Sequence, residues 1–186
     1  MGKSWGLGQR IRSFGAGLAA KPTAYRQLDC SRSPALGRRK KGGCEAIGRS
    51  RGGLSTKLHA FDDRGLPVRL TLTPGQAHDV TAVRHLLDRA VAHSVVVGDR
   101  SYDADWVVEF IEQQGGRANI PFYANRKPRR PFDPGLYKQR NLIERLFNRI
   151  NNFRRIATRY EKTARNFLAM AVIAAARQWI KFESTA

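Results

Sequence analysis

The stretch Leu54-Ser-Thr-Lys-Leu-His-Ala-Phe-Asp-Asp-Arg-Gly-Leu-Pro-Val-Arg-Leu-Thr-Leu-Thr73 decides the fold class. Leu54, Thr56, Leu58 and Ala60 alternate with Ser55, Lys57 and His59, the period of a half-buried strand. Asp62-Asp63-Arg64-Gly65 is a turn signal. Val68, Leu70 and Leu72 then alternate with Arg69 and Thr71, so the stretch predicts a β-hairpin that ends at Pro74-Gly75. Beyond it the period changes. Residues 79–92 place Val80, Val83, Leu86, Leu87 and Val91 at helical spacing, with His78 or Asp79 as the cap. Ser94-Val-Val-Val-Gly-Asp99 reads as a short buried strand ending in an acid. Residues 103–114 read as a helix with Trp106, Val107, Phe110 and Ile111 inward and Gly115-Gly116 at its end. Residues 118–122 read as another short strand, and residues 164–182 as a last apolar helix packed across the sheet. A hairpin followed by alternating helices and strands is a mixed α/β layer fold.

The rest of the chain bounds its environment. At 186 residues with 41% apolar composition, one domain can bury a core. No apolar run reaches a membrane span, and the N-terminus has bases but no apolar signal core. Cys30 and Cys44 lack metal-ligand spacing and read as reduced thiols of a cytoplasmic protein. The net charge of +19 is unevenly placed: residues 1–53 hold 12 Lys/Arg against 2 Asp/Glu, residues 54–120 hold 7 against 9, and residues 121–186 hold 15 against 4. Two basic segments flanking a slightly acidic centre attract nucleic acid through counterion release. Residues 1–47 form an irregular basic segment in this reading, with Arg38-Arg39-Lys40-Lys41-Gly42-Gly43 as its charge run.

Tyr137-Lys-Gln-Arg-Asn-Leu-Ile-Glu-Arg-Leu-Phe-Asn-Arg-Ile-Asn151 carries one acid, Glu144, among bases and amides. Ile143, Leu146, Phe147, Ile150 and Phe153 form its buried stripe, while Tyr137, Arg140, Glu144 and Asn151 share another face. Asp99 ends a buried strand, where ligands of α/β sheets gather. Such carboxylates can hold Mg²⁺. The plainer reading makes Asp99 a capping residue and Glu144 the partner of Arg140, and the residues alone leave both open.

Gly48-Arg-Ser-Arg-Gly-Gly-Leu-Ser-Thr-Lys-Leu-His-Ala60, Thr73-Pro-Gly-Gln-Ala-His-Asp79, Gly98-Asp-Arg-Ser-Tyr-Asp-Ala-Asp105 and Tyr137-x-x-Arg-x-x-x-Glu144 follow one another in order. With Arg154-Arg-Ile-Ala-Thr-Arg-Tyr-Glu-Lys-Thr-Ala-Arg-Asn-Phe167, they resemble DDE-class insertion-sequence transposases, specifically the insertion-sequence five family. The resemblance implies an RNase H-like domain over residues 48–182 and two Mg²⁺ or Mn²⁺ ions held by three carboxylates. Asp99 matches the second acid and Glu144 the third. It also implies strand cleavage at element ends, 3′-OH transfer into target DNA, and double-stranded DNA as the partner of a nucleoid-associated homodimer in a synaptic complex. Tyr137, Arg140, Asn151, Arg154, Arg155 and Arg159 would contact DNA, as would Arg126, Lys127, Arg129 and Arg130 of the proline-rich loop.

Two departures stand out. Asn151 occupies a position where the signature carries lysine. The first acid is the larger gap: Asp29 is the only acid in its region besides Glu45, its apolar flanks are Tyr25 and Leu28 alone, and Pro34 discourages a strand. Asp29 is the expected first ligand if it comes within metal-bridging reach of Asp99 and Glu144. A reading-frame change is the other explanation: it puts the segment before about residue 37 out of frame relative to the family and makes Asp29 a chance acid, and the alternative function is a degenerate, inactive DNA-binding remnant. The family's upstream DNA-binding region is not recognisable, so recognition of the ends would fall to an upstream-frame product.

Overall fold

In a computed structural model, which describes residues 24–35, 45–87, 91–127 and 130–184, a six-stranded sheet is sandwiched between two helical layers. The strands are β1 (Ala24–Pro34), β2 (Gly48–Ser50), β3 (Gly53–Asp63), β4 (Leu66–Pro74), β5 (Ser94–Gly98) and β6 (Arg117–Asn119). Strand β3 is the long antiparallel backbone of one half. Along one edge it pairs with β1, and along the other with β2 and then β4, placed end to end. Strands β1, β5 and β6 run parallel in that order.

The hairpin reading holds. A two-residue loop joins β3 to β4, and Arg64 and Gly65 both have positive φ (54° and 82°), as the turn that matches strand twist requires. The Asp62 carboxylate accepts from the Gly65 N–H at 2.8 Å and pins this turn. The helices are α1 (Val83–Leu86), α2 (Asp105–Gln113), α3 (Pro134–Tyr137), α4 (Asn141–Asn151), α5 (Arg154–Ala157) and α6 (Ala164–Glu183). Among the described residues, no helix is long and apolar enough to cross a membrane.

The two faces of the sheet have separate cores. Phe61 and Val96 pack with Val83, Leu86, Leu87, Tyr102, Val107, Ile111 and Ile120 beneath α1 and α2. On the other face, Leu58 and Ala60 pack with Ile143, Leu146, Phe147, Ile150, Ile156, Phe167 and Ala171 beneath α4, α5 and α6. The stripe of α4 is therefore the expected one, with Phe153 partly buried beside it. At about 1.5–3 kcal/mol per fully buried side chain, its four core residues hold the helix to the sheet despite its many charges. Helix α6 crosses β4, where the Trp179 indole N–H donates to the Pro67 carbonyl at 2.8 Å.

Three expectations need correction. Residues 24–34 are not irregular: they form β1, flanked by β3 and β5 in the middle of the sheet. Pro34 is tolerated because it is the last residue of the strand, where its carbonyl accepts from the Arg159 N–H at 2.8 Å. The helix expected over residues 79–92 is a 3₁₀ turn (Asp79–Ala82) followed by α1, with residues 88–90 outside the described residues. The helix that carries Glu144 does not run on through Phe153, which adopts an extended conformation (φ −81°, ψ 108°) and starts the separate short helix of Arg154 and Arg155.

Candidate active site

Backbone register brings two aspartate positions together. Strands β1 and β5 pair in parallel from Ala24–Ser94 to Leu28–Gly98, so Asp29 and Asp99 are the next residues along on neighbouring strands. The Asp99 backbone is still extended (φ −80°, ψ 176°), so it keeps the strand's alternation and shares a row with Val95 and Val97. Val97 pairs with Gln27, two residues before Asp29, and Asp29 in turn pairs with Ala60. Ala60 belongs to the core beneath α4 and α6. Positions 29 and 99 therefore lie on the face of the sheet covered by the helix that carries Glu144.

Asp99 begins the 3₁₀ turn Arg100–Tyr102 and caps it: its Oδ1 accepts from the Ser101 N–H at 2.7 Å and from the Ser101 hydroxyl. Glu144 lies in the first turn of α4, with its side chain 50% exposed, and is paired with Arg140 one turn earlier. The plainer sequence reading of both acids is thus met, and it leaves a metal role open, since a capped or paired carboxylate still presents oxygen. The segments leading into α4, α3 and the turn Lys138–Arg140, pack against β5, and α4 itself packs against β1. Among the residues whose side chains are described, no three His, Cys, Asp or Glu residues gather as a metal site. The Asp29 side chain is outside that set.

Ser101 lies between Asp99 and a second polar group. There Asp79 accepts from the Lys57 ammonium at 2.6 Å. Burial pushes the Asp79 carboxyl upward, but the hydrogen bonds from Lys57 and Ser101 and the Lys57 charge outweigh it and hold the group below its ordinary value. Lys57 is itself almost buried and donates to the Ala77 carbonyl at 2.8 Å. His59, next in the row, is fully buried between the Thr73 hydroxyl (2.7 Å) and the Tyr102 hydroxyl (3.4 Å). Burial drives its pKa from 6.5 to about 4; the Asp79 charge opposes this and the Lys57 charge adds to it. His78 and Asp79 line a cleft of about 550 Å³ with Ser101, Lys57, Arg49, Arg51, Gln76 and Tyr123.

The residues expected to contact DNA separate into groups. Tyr137 lies on α3 with its ring 5.5 Å from Phe132, and Asn151 ends α4. Arg154 is exposed, and Arg155 is exposed with its guanidinium 3.5 Å from Glu161. Lys127 is exposed, and Arg129 lies outside the described residues. Arg126 and Arg130 both bind Asp103 and Asp105, which fastens the proline-rich loop to the start of α2 and neutralises two of its cations. The Asp103 side chain is 2% exposed and also accepts from the Tyr123 N–H at 3.0 Å. The sequence reading missed this anchor; the pair Asp103 and Asp105, two acids two residues apart, is the signal that points to it.

Arg159 is a correction. It is fully buried, so it is not a phosphate contact. Its guanidinium donates to the Thr56 hydroxyl at 2.6 Å and to the Glu161 carbonyl at 3.0 Å, and it lies 5.2 Å over the Phe167 ring. Burial lowers its pKa, partly offset by Glu45 and Glu161. It is a staple between β3 and the α5–α6 connection.

Comparison with known proteins bears on this geometry. The family model described as "Transposase DDE domain" matches residues 35–179. A protein of Brucella ovis, named as a candidate transposase for insertion sequence element IS6501, is 37% identical over 130 residues, covering 69% of this chain and 100% of the relative. No solved structure matches the chain.

Proposed function

Because this chain belongs to the transposase DDE-domain family, we propose that it cuts DNA at insertion-sequence ends and joins the freed 3′-OH to target DNA. Asp29, Asp99 and Glu144 are the three carboxylates of this reading. The observation that carries it is the register: positions 29 and 99 follow the last β1–β5 pair, side by side, on the face covered by α4. The donors fit a hard divalent cation such as Mg²⁺ or Mn²⁺, which takes carboxylate oxygens. When bound, a pair of such ions activates the attacking oxygen and stabilises the leaving one.

The chain's own residues hold and orient. Ser101 fixes the Asp99 carboxylate through two hydrogen bonds to one oxygen. Arg140 holds Glu144 in the first turn of α4. The Asp103–Arg126–Arg130–Asp105 cluster keeps the basic loop against the turn that follows Asp99. The sheet with antiparallel and parallel halves, and helices on both faces, supports the RNase H-like part of the reading. Joining two element ends calls for two such sites, so the reading includes a homodimer acting on nucleoid DNA. The placement in the insertion-sequence five family rests on the motifs alone.

One observation favours the second reading, a catalytically inactive DNA-binding remnant: the family match starts at residue 35 and leaves Asp29 outside it. One experiment separates the two. Mg²⁺-dependent cleavage of DNA carrying the element ends is measured for the wild type, Asp29→Asn, Asp99→Ala and Glu144→Ala. Activity lost in all three variants supports the complete triad. Equal activity in all four proteins removes the site, and an inactive wild type selects the remnant.

A further inference from the structure

The motifs Gly48-Arg-Ser-Arg-Gly-Gly53 and Thr73-Pro-Gly-Gln-Ala-His-Asp79 hold no carboxylate of the triad, yet the fold brings them together. Strand β2 pairs with residues 53–55 of β3 and β4 with residues 56–63, so the start of β2 meets the end of β4 on one edge. The joint is tight at Gly75, where a Cβ would lie 2.9 Å from the Ser55 carbonyl oxygen, whereas one on Gly48 would displace only the Gln76 amide. Gly75 and Gln76 line a cleft that Ser101, bonded to Asp99, also lines.

The charges of that cleft are unequal. Lys57 and Asp79 neutralise each other. Arg49 and Arg51 are exposed and make no ion pair among the described residues. Arg49 lies on β2 and Arg51 in the turn that follows it, and both line the cleft. The cleft therefore presents two guanidiniums and the exposed His78, and its lining includes the Ser101 hydroxyl that orients Asp99.

Resting on the DNA-cutting reading, we propose that this cleft grips the phosphodiester backbone of the DNA strand that enters the site, with Arg49 and Arg51 on its phosphates. In this proposal the two guanidiniums serve as a backbone grip, since cations free of acidic partners suit phosphate oxygens.

The test is binding of a fluorescent duplex oligonucleotide and of its single strand, without divalent ions, across a salt series. The full chain is compared with Arg49→Gln/Arg51→Gln and with Arg84→Gln/Arg117→Gln, which removes the same charge outside the cleft. The cleft variant should flatten the slope of log K against log salt by about 1.8 on duplex or about 1.4 on single strand. The control should keep the wild-type slope, and Arg49→Lys/Arg51→Lys should restore most of the loss. Equal slopes in wild type and cleft variant overturn the proposal, as does an equal fall in the control or a wild type that binds neither probe. Because binding is measured without metal, loss of cleavage in Asp99→Ala speaks only to the triad.

Discussion

Replacing His59 with glutamine should remove an acid-sensitive component of stability. The imidazole is fully buried with both ring nitrogens engaged, by Thr73 and by Tyr102, so it is neutral in the folded protein. Unfolded, it titrates near 6.5; folded, burial holds it near 4. The unfolded chain therefore binds the proton first as pH falls, and stability declines from about pH 6.5 until the folded imidazole also titrates near pH 4. Above pH 6.5 the group contributes no pH dependence. At about 1.4 kcal/mol for each tenfold change in proton affinity, the full loss is about 3 kcal/mol. Asp79 acts in a lower window: its carboxyl is depressed, so its stabilisation persists above the ordinary carboxylate value and is lost only as pH falls through the folded value. Urea unfolding at steps between pH 7.5 and pH 4.5, on wild type and His59→Gln, separates the two, since Asp79 stays ionised in both proteins over that range. Glutamine keeps a donor and an acceptor for Thr73 and Tyr102 but cannot take up the proton. The wild-type curve should fall more steeply than the variant's below pH 6.5. Parallel curves would refute the placement of a neutral His59 in this core.

Arg159→Met should lower stability by about 2–4 kcal/mol in urea unfolding, because it removes the donor to the buried Thr56 hydroxyl and to the Glu161 carbonyl and the contact with the Phe167 ring; its salt slope for DNA binding should match wild type, and a flatter slope would return it to the DNA interface. Asp103→Asn combined with Asp105→Asn should release Arg126 and Arg130 and expose the basic loop before α3 to limited trypsin digestion, with wild-type resistance in the variant counting against the anchor. Gly75→Ala should cost about 1–3 kcal/mol, since the added carbon meets the Ser55 carbonyl oxygen at 2.9 Å as well as its side chain; an unchanged melting temperature would show that the β2–β4 joint is looser than described.

The parts of the fold legible in the sequence are those whose periodicity is local. The β3–β4 hairpin, β5 and the stripe of α4 each signal burial through their own residues, and the structure places these elements as expected, although β3 is buried on both faces where one was expected and Val68 of β4 is exposed. Two kinds of feature escaped. Arg159 looks like one more base in a basic run, and its burial depends on Thr56, Ala46 and Glu161, which only the tertiary fold supplies. Arg126 and Arg130 look like free phosphate ligands until α2 brings Asp103 and Asp105 against them.

Strand β1 is the most instructive case, because its segment carries almost no strand signal of its own. Tyr25 and Leu28 are its apolar residues ahead of Asp29, and Arg, Gln and Ser fill most other positions. A central strand need not supply its own pattern when it inherits pairing from both sides. Strand β3 gives it nine antiparallel partners and β5 five parallel ones. Strand pairing here is dominated by neighbours, which is why single-segment propensity is a weak guide to sheets. The same dependence makes Asp29 the decisive residue. Its position beside Asp99 follows from a register that two stronger strands impose, whereas Asp99 follows from the strand that bears it and Glu144 from its helix. Should Asp29→Asn leave cleavage intact while Asp99→Ala abolishes it, the register would be pairing without function, and another acid would have to serve as the first ligand.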